Sequence, residues 1–100
     1  MEHTRLSHAV VRTDAPERYA KQLASHLGRK LTVTEEDAGT RITFDTGDCL
    51  MTTGPGVLEL AAGAVDDDAL AQVEDVVGRH LEKFGTRAGL SVDWAPGPAA

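Results

Sequence analysis

A chain of 100 residues, 41% of them hydrophobic, is long enough to form one domain with its own core and too apolar to be disordered throughout. Its formal net charge is -6 and its ten Lys and Arg residues are scattered, which excludes nucleic acid and anionic membranes as expected partners, because both are bound by clustered cations. It has neither the long apolar stretch of a transmembrane helix nor the pattern of a signal peptide, and its single cysteine cannot form an internal disulfide, so we expect a cytoplasmic protein.

The first part of the chain predicts a strand followed by a helix. Leu6–Thr13 has an apolar middle that predicts the strand. Asp14 is expected to cap the helix, because a proline of the first turn and a glutamate follow it at the spacing of a capping box. Gly28 is expected to end the helix. The apolar positions of this helix recur every four residues and are Tyr19, Leu23 and Leu27.

The middle of the chain predicts four short strands. The links between them are short and rich in turn-forming residues, and such links force antiparallel neighbours, so we expect a meander. Ile42 and Phe44 alternate with polar residues, which is the period of a sheet with one solvated face. The predicted strands are Lys30–Thr34, Thr40–Asp45, Asp48–Thr53 and Val57–Ala62.

The last third of the chain predicts a second helix and a final strand. Three consecutive aspartates, Asp66–Asp68, are expected to cap the helix and to suit its dipole, and Gly85 is expected to end it. The pattern over residues 90–94 alternates apolar and polar side chains and predicts the strand, whereas residues 95–100 are expected to be a flexible tail. The stripe of the second helix consists of Leu70, Val73, Val77, His80 and Phe84.

Together these elements predict an α+β domain over residues 1–94. The expected order is β-α-β-β-β-β-α-β, with two helices on one face of an antiparallel sheet. The periods of the helices and strands indicate which side chains form most of the core. These are Tyr19, Leu23, Leu27, Ile42, Phe44, Leu58, Leu60, Val73, Val77, Leu81, Val92 and Trp94.

Two histidines are the strongest candidates for a functional site. Tyr19–Leu27 and Val73–Leu81 share a pattern that ends in His-Leu, so His26 and His80 occupy equivalent places on the two helices. Both can be structural side chains at the core margin, hydrogen-bonded to a carbonyl or carboxylate. Alternatively, the imidazoles meet between the helices with the thiol of Cys49, and such nitrogen and sulfur ligands suit zinc, copper or iron. The cofactor on this second interpretation is a transition metal or haem.

Other polar features have simpler structural interpretations. Asp66–Asp68 at a helix start favours capping over cation binding, and Gly54-Pro55-Gly56 between two strands indicates a hairpin turn rather than a nucleotide loop. Cys49 in the middle of a strand is typical of a small buried hydrophobe, and we assign no catalytic residue. His3 and His8 are given no role.

Residues 18–30, 47–49 and 73–84, together with Trp94, resemble the bacterial domain of unknown function 2218. Similar domains occur fused to, or encoded near, siderophore-interacting flavin reductases. The resemblance therefore implies a setting in iron handling, with a siderophore-interacting flavoprotein as partner. The flavoprotein portion is not in this sequence, so no reductase activity is expected of it. The residues that match the family pattern are His26, Lys30, Cys49, Glu74, Asp75, His80, Phe84 and Trp94.

Three functions stay open on the sequence. The first is an accessory binding domain in iron or metal handling that uses His26, His80 and Cys49, with Glu74 or Asp75 nearby. The second is a non-catalytic interaction module that forms a homodimer through an edge strand or the outer sheet face. The third and least favoured is a small enzyme that uses Cys49 as nucleophile together with a histidine.

Overall fold

The computed structural model describes residues 4–98, and the elements within them follow the order expected from the sequence. The strands are β1 Arg5–Arg12, β2 Thr32–Glu36, β3 Gly39–Thr43, β4 Gly47–Gly54, β5 Val57–Ala64 and β6 Ala95–Pro96. The helices are α1 Pro16–Leu27 and α2 Asp67–Phe84, and a short 3-10 turn, Thr86–Ala88, follows α2.

The strands form one antiparallel sheet in the order β2-β3-β4-β5-β1-β6. The predicted meander is β2 to β5, and β1 pairs with β5 over its whole length, from Arg5 opposite Ala64 to Arg12 opposite Val57. The turn between β4 and β5 places Gly56 at a φ of 71°, a conformation that favours glycine. The predicted α+β fold, an antiparallel sheet with two helices packed on it, is confirmed.

The core lies between the sheet and the helices and is largely aliphatic. Ile42, Cys49 and Ala62 lie in register on adjacent strands, and all three are buried on the face that the helices cover. Leu23 of α1 is fully buried against this face. The predicted core is confirmed except at Trp94, which is partly exposed.

The two helices begin differently. Asp66 caps α2 as predicted, since its carboxylate accepts a hydrogen bond of 2.8 Å from the N–H three residues on. The corresponding prediction for Asp14 is wrong, because the N-cap of α1 is Ala15. A residue before proline is disfavoured in the helical conformation, so Pro16 places the start of the helix one residue past Asp14.

Neither helix in residues 4–98 is long and apolar enough to cross a membrane.

The C-terminal segment also differs from the prediction. Over residues 90–94 the chain packs on α2 instead of forming a strand, and the N–H of Val92 donates to the carboxylate of Glu82 over 3.0 Å. The chain joins the sheet only at β6, which pairs with β1. The N–H of Gly97 then donates to the carbonyl of Leu6 over 2.8 Å, so residues 95–97 are held rather than frayed. The last two residues of the expected tail, 99 and 100, lie outside the described residues.

Candidate functional site

His26 and His80, whose meeting between the helices was one of the two interpretations open on the sequence, lie side by side. His26 is in the last turn of α1 and His80 is in the C-terminal half of α2, and their ring centroids are 4.9 Å apart with planes tilted by 44°. The ring of Phe84 lies 5.8 Å from that of His26 and 6.2 Å from that of His80. We call His26 and His80 the histidine pair. The shared pattern of the two helices therefore reflects a real juxtaposition.

The hydrogen bond of His80 decides which of its two ring nitrogens carries the proton in the neutral form. Its Nδ1 lies 2.6 Å from the backbone carbonyl oxygen of Val76, one turn earlier in α2. A carbonyl oxygen can only accept, so Nδ1 carries the proton, and a neutral ring then has its lone pair on Nε2. His80 is half-buried, whereas His26 is exposed and its ring nitrogens have no hydrogen-bond partner among residues 4–98. In its neutral form each ring of the pair thus has a nitrogen lone pair with no hydrogen-bond partner among residues 4–98.

A cleft of about 510 Å³ opens beside the histidine pair, between α1, α2 and the chain that links α1 to β2. We call it the α1–α2 cleft. Its apolar lining includes Leu31, Phe44 and Val76. Its polar lining consists of the histidine pair, Arg29, Lys30 and Gln72.

The end of α1 explains why two cations line this cleft. Gly28 forms the C-cap of α1, and the chain turns there so that the N–H of Leu31 still donates to the carbonyl of Leu27 over 2.8 Å. Arg29 and Lys30 therefore follow directly after the turn that carries His26. From the sequence, Lys30 is expected to begin a strand and matches the family pattern, and Arg29 is not singled out; in the structure β2 begins only at Thr32. The available signal was two consecutive cations after a helix that ends in His-Leu-Gly.

Comparison with known proteins identifies the family. Residues 8–95 match the family described as "Uncharacterized protein conserved in bacteria (DUF2218)". The chain belongs to the DUF2218 family. The resemblance noted in the sequence is thereby confirmed, and it extends over both helices and the whole meander. No match was found among curated proteins.

A solved structure has a fold similar to that of this chain. The chain is similar to the protein of the "NMR structure of PA4090 from Pseudomonas aeruginosa", with 27% sequence identity and a TM-score of 0.78. The match covers 96% of this chain and 100% of that one. The similarity therefore extends over the whole length of the solved chain.

Cys49 does not join the histidine pair in this DUF2218 domain. Its side chain is fully buried in the core, and among residues 4–98 no group of three or more His, Cys, Asp or Glu side chains could hold a metal ion. Burial, followed by the charge of Asp48, raises the pKa of the thiol to about 12. The thiol is therefore neutral and inaccessible at physiological pH, which leaves the hypothesis of a Cys49 enzyme without a nucleophile.

The remaining candidates lie apart from the cleft or have structural partners. Asp75 is on the other side of His80, in an ion pair of 3.4 Å with Arg79, and neither Asp75 nor Glu74 lines the α1–α2 cleft. The Nδ1 of His8 lies 3.0 Å from the carbonyl oxygen of Gly97, on the side of β1 that pairs with β6. His3 lies outside the described residues. The site therefore rests on the histidine pair and the cleft.

Proposed function

We propose that this DUF2218 domain is a non-catalytic binding domain that takes a transition-metal ion between His26 and His80. The observation that carries the proposal is the ring spacing of 4.9 Å. Two imidazoles bound through nitrogen to one tetrahedral ion, at about 2.0–2.1 Å each, have ring centroids about 5 Å apart. The pair is thus spaced as metal-bound imidazoles are.

The hydrogen bond from His80 to Val76 supports the same proposal. Histidines that bind metals usually donate their other ring N–H to a carbonyl or carboxylate, which orients the ring and fixes the tautomer. The bond of 2.6 Å from Nδ1 supplies this second contact within α2 itself. Imidazole nitrogens suit zinc, copper, nickel and iron.

Two protein ligands leave coordination positions open for water or a small molecule. A structural zinc site has four protein ligands, so a two-histidine site fits reversible binding and transfer better than a structural role. The family resemblance supports iron handling as the setting and a siderophore-interacting flavoprotein as the partner. Cys49 has no part in the proposal, because it is buried in the core.

Calorimetric titration of the purified protein tests the proposal. Zn²⁺, Cu²⁺, Ni²⁺, Fe²⁺ and haem are titrated into the wild type and into His26→Ala, His80→Ala and the double variant, with His8→Ala as the control. We expect the wild type to bind one equivalent of one or more of these ions. Each single variant of the histidine pair should bind it about tenfold or more weakly, and the His8→Ala control should bind it as the wild type does. Equal binding by the wild type and the double variant contradicts the proposal.

A second candidate function, homodimer formation, is favoured by the outer face of the sheet. Leu6 and Val10 of β1 are 41% and 51% exposed on that face, which carries neither helix. Exposed apolar side chains on a sheet face suit contact with a second copy of the chain, so we propose a homodimer through this face. Sedimentation of the wild type and of a Leu6→Glu/Val10→Glu variant tests it, and a 10.6 kDa species at all concentrations contradicts it.

A further inference from the structure

The α1–α2 cleft differs in charge from the rest of the molecule. The chain has sixteen Asp and Glu residues and a net charge of -6, yet none of the carboxylates in residues 4–98 lines this cleft. Arg29 and Lys30 line it together with the histidine pair. The local surface therefore attracts anions on a protein that repels them overall.

Arg29 and Lys30 also form no ion pair with a carboxylate among residues 4–98. Three other arginines, Arg5, Arg41 and Arg79, form ion pairs with nearby carboxylates. The side chains of Arg29 and Lys30, in contrast, have no hydrogen-bond or ion-pair partner within the part of the chain that the structure describes. An anion in the cleft would meet these cations without displacing an internal partner.

The cleft can also hold an apolar body. Leu31 and Val76 are half-buried and Phe44 is 8% exposed, and all three line the same space as the cations. A volume of about 510 Å³ is within the range of sites for small organic molecules. The amide of Gln72 adds a group that can both donate and accept hydrogen bonds.

We infer that the α1–α2 cleft binds a small organic carboxylate with an aromatic or branched apolar body. The carboxylate is held by Arg29 and Lys30, and the apolar body lies against Leu31, Phe44 and Val76. This inference goes beyond the proposed metal function, because it depends on the cations and not on the histidine nitrogens. The metal proposal and the carboxylate proposal can be refuted independently, since binding of the carboxylate can be measured with every metal removed.

The probe is 1-naphthoate, compared with its neutral counterpart 1-naphthamide. Each is titrated into ¹⁵N-labelled protein that has been freed of metal on a chelating resin, and the shifts of the backbone amides are followed. We expect naphthoate to shift amides of residues 26–31 and 72–80, and naphthamide to bind about tenfold more weakly, because it lacks the charge. Equal binding of the two probes, or shifts centred elsewhere on the chain, overturns the inference.

Charge reversal gives the second arm of the test. Arg29→Glu and Lys30→Glu are each expected to weaken naphthoate binding by about three- to fivefold, as befits exposed charges. Lys21→Glu is the matched control, because Lys21 is exposed on α1, the helix that precedes the two cations, and does not line the cleft. An equal loss in the control and in the cleft variants also overturns the inference, since it would assign the effect to net charge alone.

Discussion

The Nδ1 of His80 lies 2.6 Å from the carbonyl oxygen of Val76, so one helical turn of α2 decides which nitrogen of His80 is free. The free Nε2 belongs to a ring that lies 4.9 Å from the ring of His26. The arrangement connects local helix geometry to the proposed binding of a metal ion.

The packing of α1 on the sheet gives a first prediction, for Leu23→Ala. Leu23 is fully buried, and its truncation leaves a cavity between α1 and the sheet. We expect the free energy of unfolding to fall by about 2–5 kcal/mol in urea denaturation. Lys21→Ala on the exposed face of α1 is the control and should change it by less than about 0.5 kcal/mol. A negligible loss for Leu23→Ala would show that the burial of α1 is misjudged.

The helix starts give a second prediction, because two aspartates in similar sequence positions differ in structure. Asp66 accepts a capping bond of 2.8 Å at the start of α2, whereas the start of α1 is Ala15 and not Asp14. We expect Asp66→Ala to lower the free energy of unfolding by about 1 kcal/mol and Asp14→Ala to leave it nearly unchanged. Thermal denaturation of the two variants measures the difference. Equal losses would mean that Asp14 also caps a helix in solution.

The buried thiol gives a third prediction. Burial raises the pKa of Cys49 from 9.0 to about 12, so the folded protein keeps a proton that the unfolded chain loses. The resulting stabilisation is fully present below the ordinary value of 9.0 and is lost as the pH rises towards about 12. We expect the free energy of unfolding to decline with rising pH in this window more steeply in the wild type than in Cys49→Ala. Parallel pH profiles for the two proteins would contradict the assignment.

Accessibility of the same thiol gives a fourth prediction. Because Cys49 is fully buried, a thiol reagent such as 5,5′-dithiobis(2-nitrobenzoate) should label the native protein only as fast as it opens, and label it at once in urea. The unfolded wild type serves as its own control for reagent and site. Rapid labelling of the native protein would restore Cys49 as a candidate for chemistry.

The sequence predicted most of the fold because its signals are local. Short links force the meander, and the spacing of Leu23 and Val77 on their helices matches their burial. The errors in the predicted fold arise where the same sequence pattern can result from either of two physical causes. The alternation over residues 90–94 reflects burial against α2, as the bond from Val92 to Glu82 shows, and not membership of the sheet.

The candidate site was predictable in part for a related reason. The repeated His-Leu ending of the two helix patterns placed His26 and His80 at equivalent positions and left their meeting as one of two interpretations; in the structure the two rings do meet. That Cys49 lies apart from them could not be read from the sequence, since strand spacing does not say where along the sheet a helix crosses. Arg29 and Lys30 look like ordinary surface residues until the turn at the end of α1 places them beside the cleft.

Metal binding by the histidine pair is tested most directly by a long-range ¹H–¹⁵N spectrum of the histidine side chains, recorded before and after one equivalent of Zn²⁺. We predict that His80 of the metal-free protein carries its proton on Nδ1, and that zinc shifts the Nε2 resonance of His80 and a ring nitrogen of His26 together while the ring of His8 is unaffected. A proton on Nε2 of His80, or a zinc response that spares either member of the pair, would contradict this prediction.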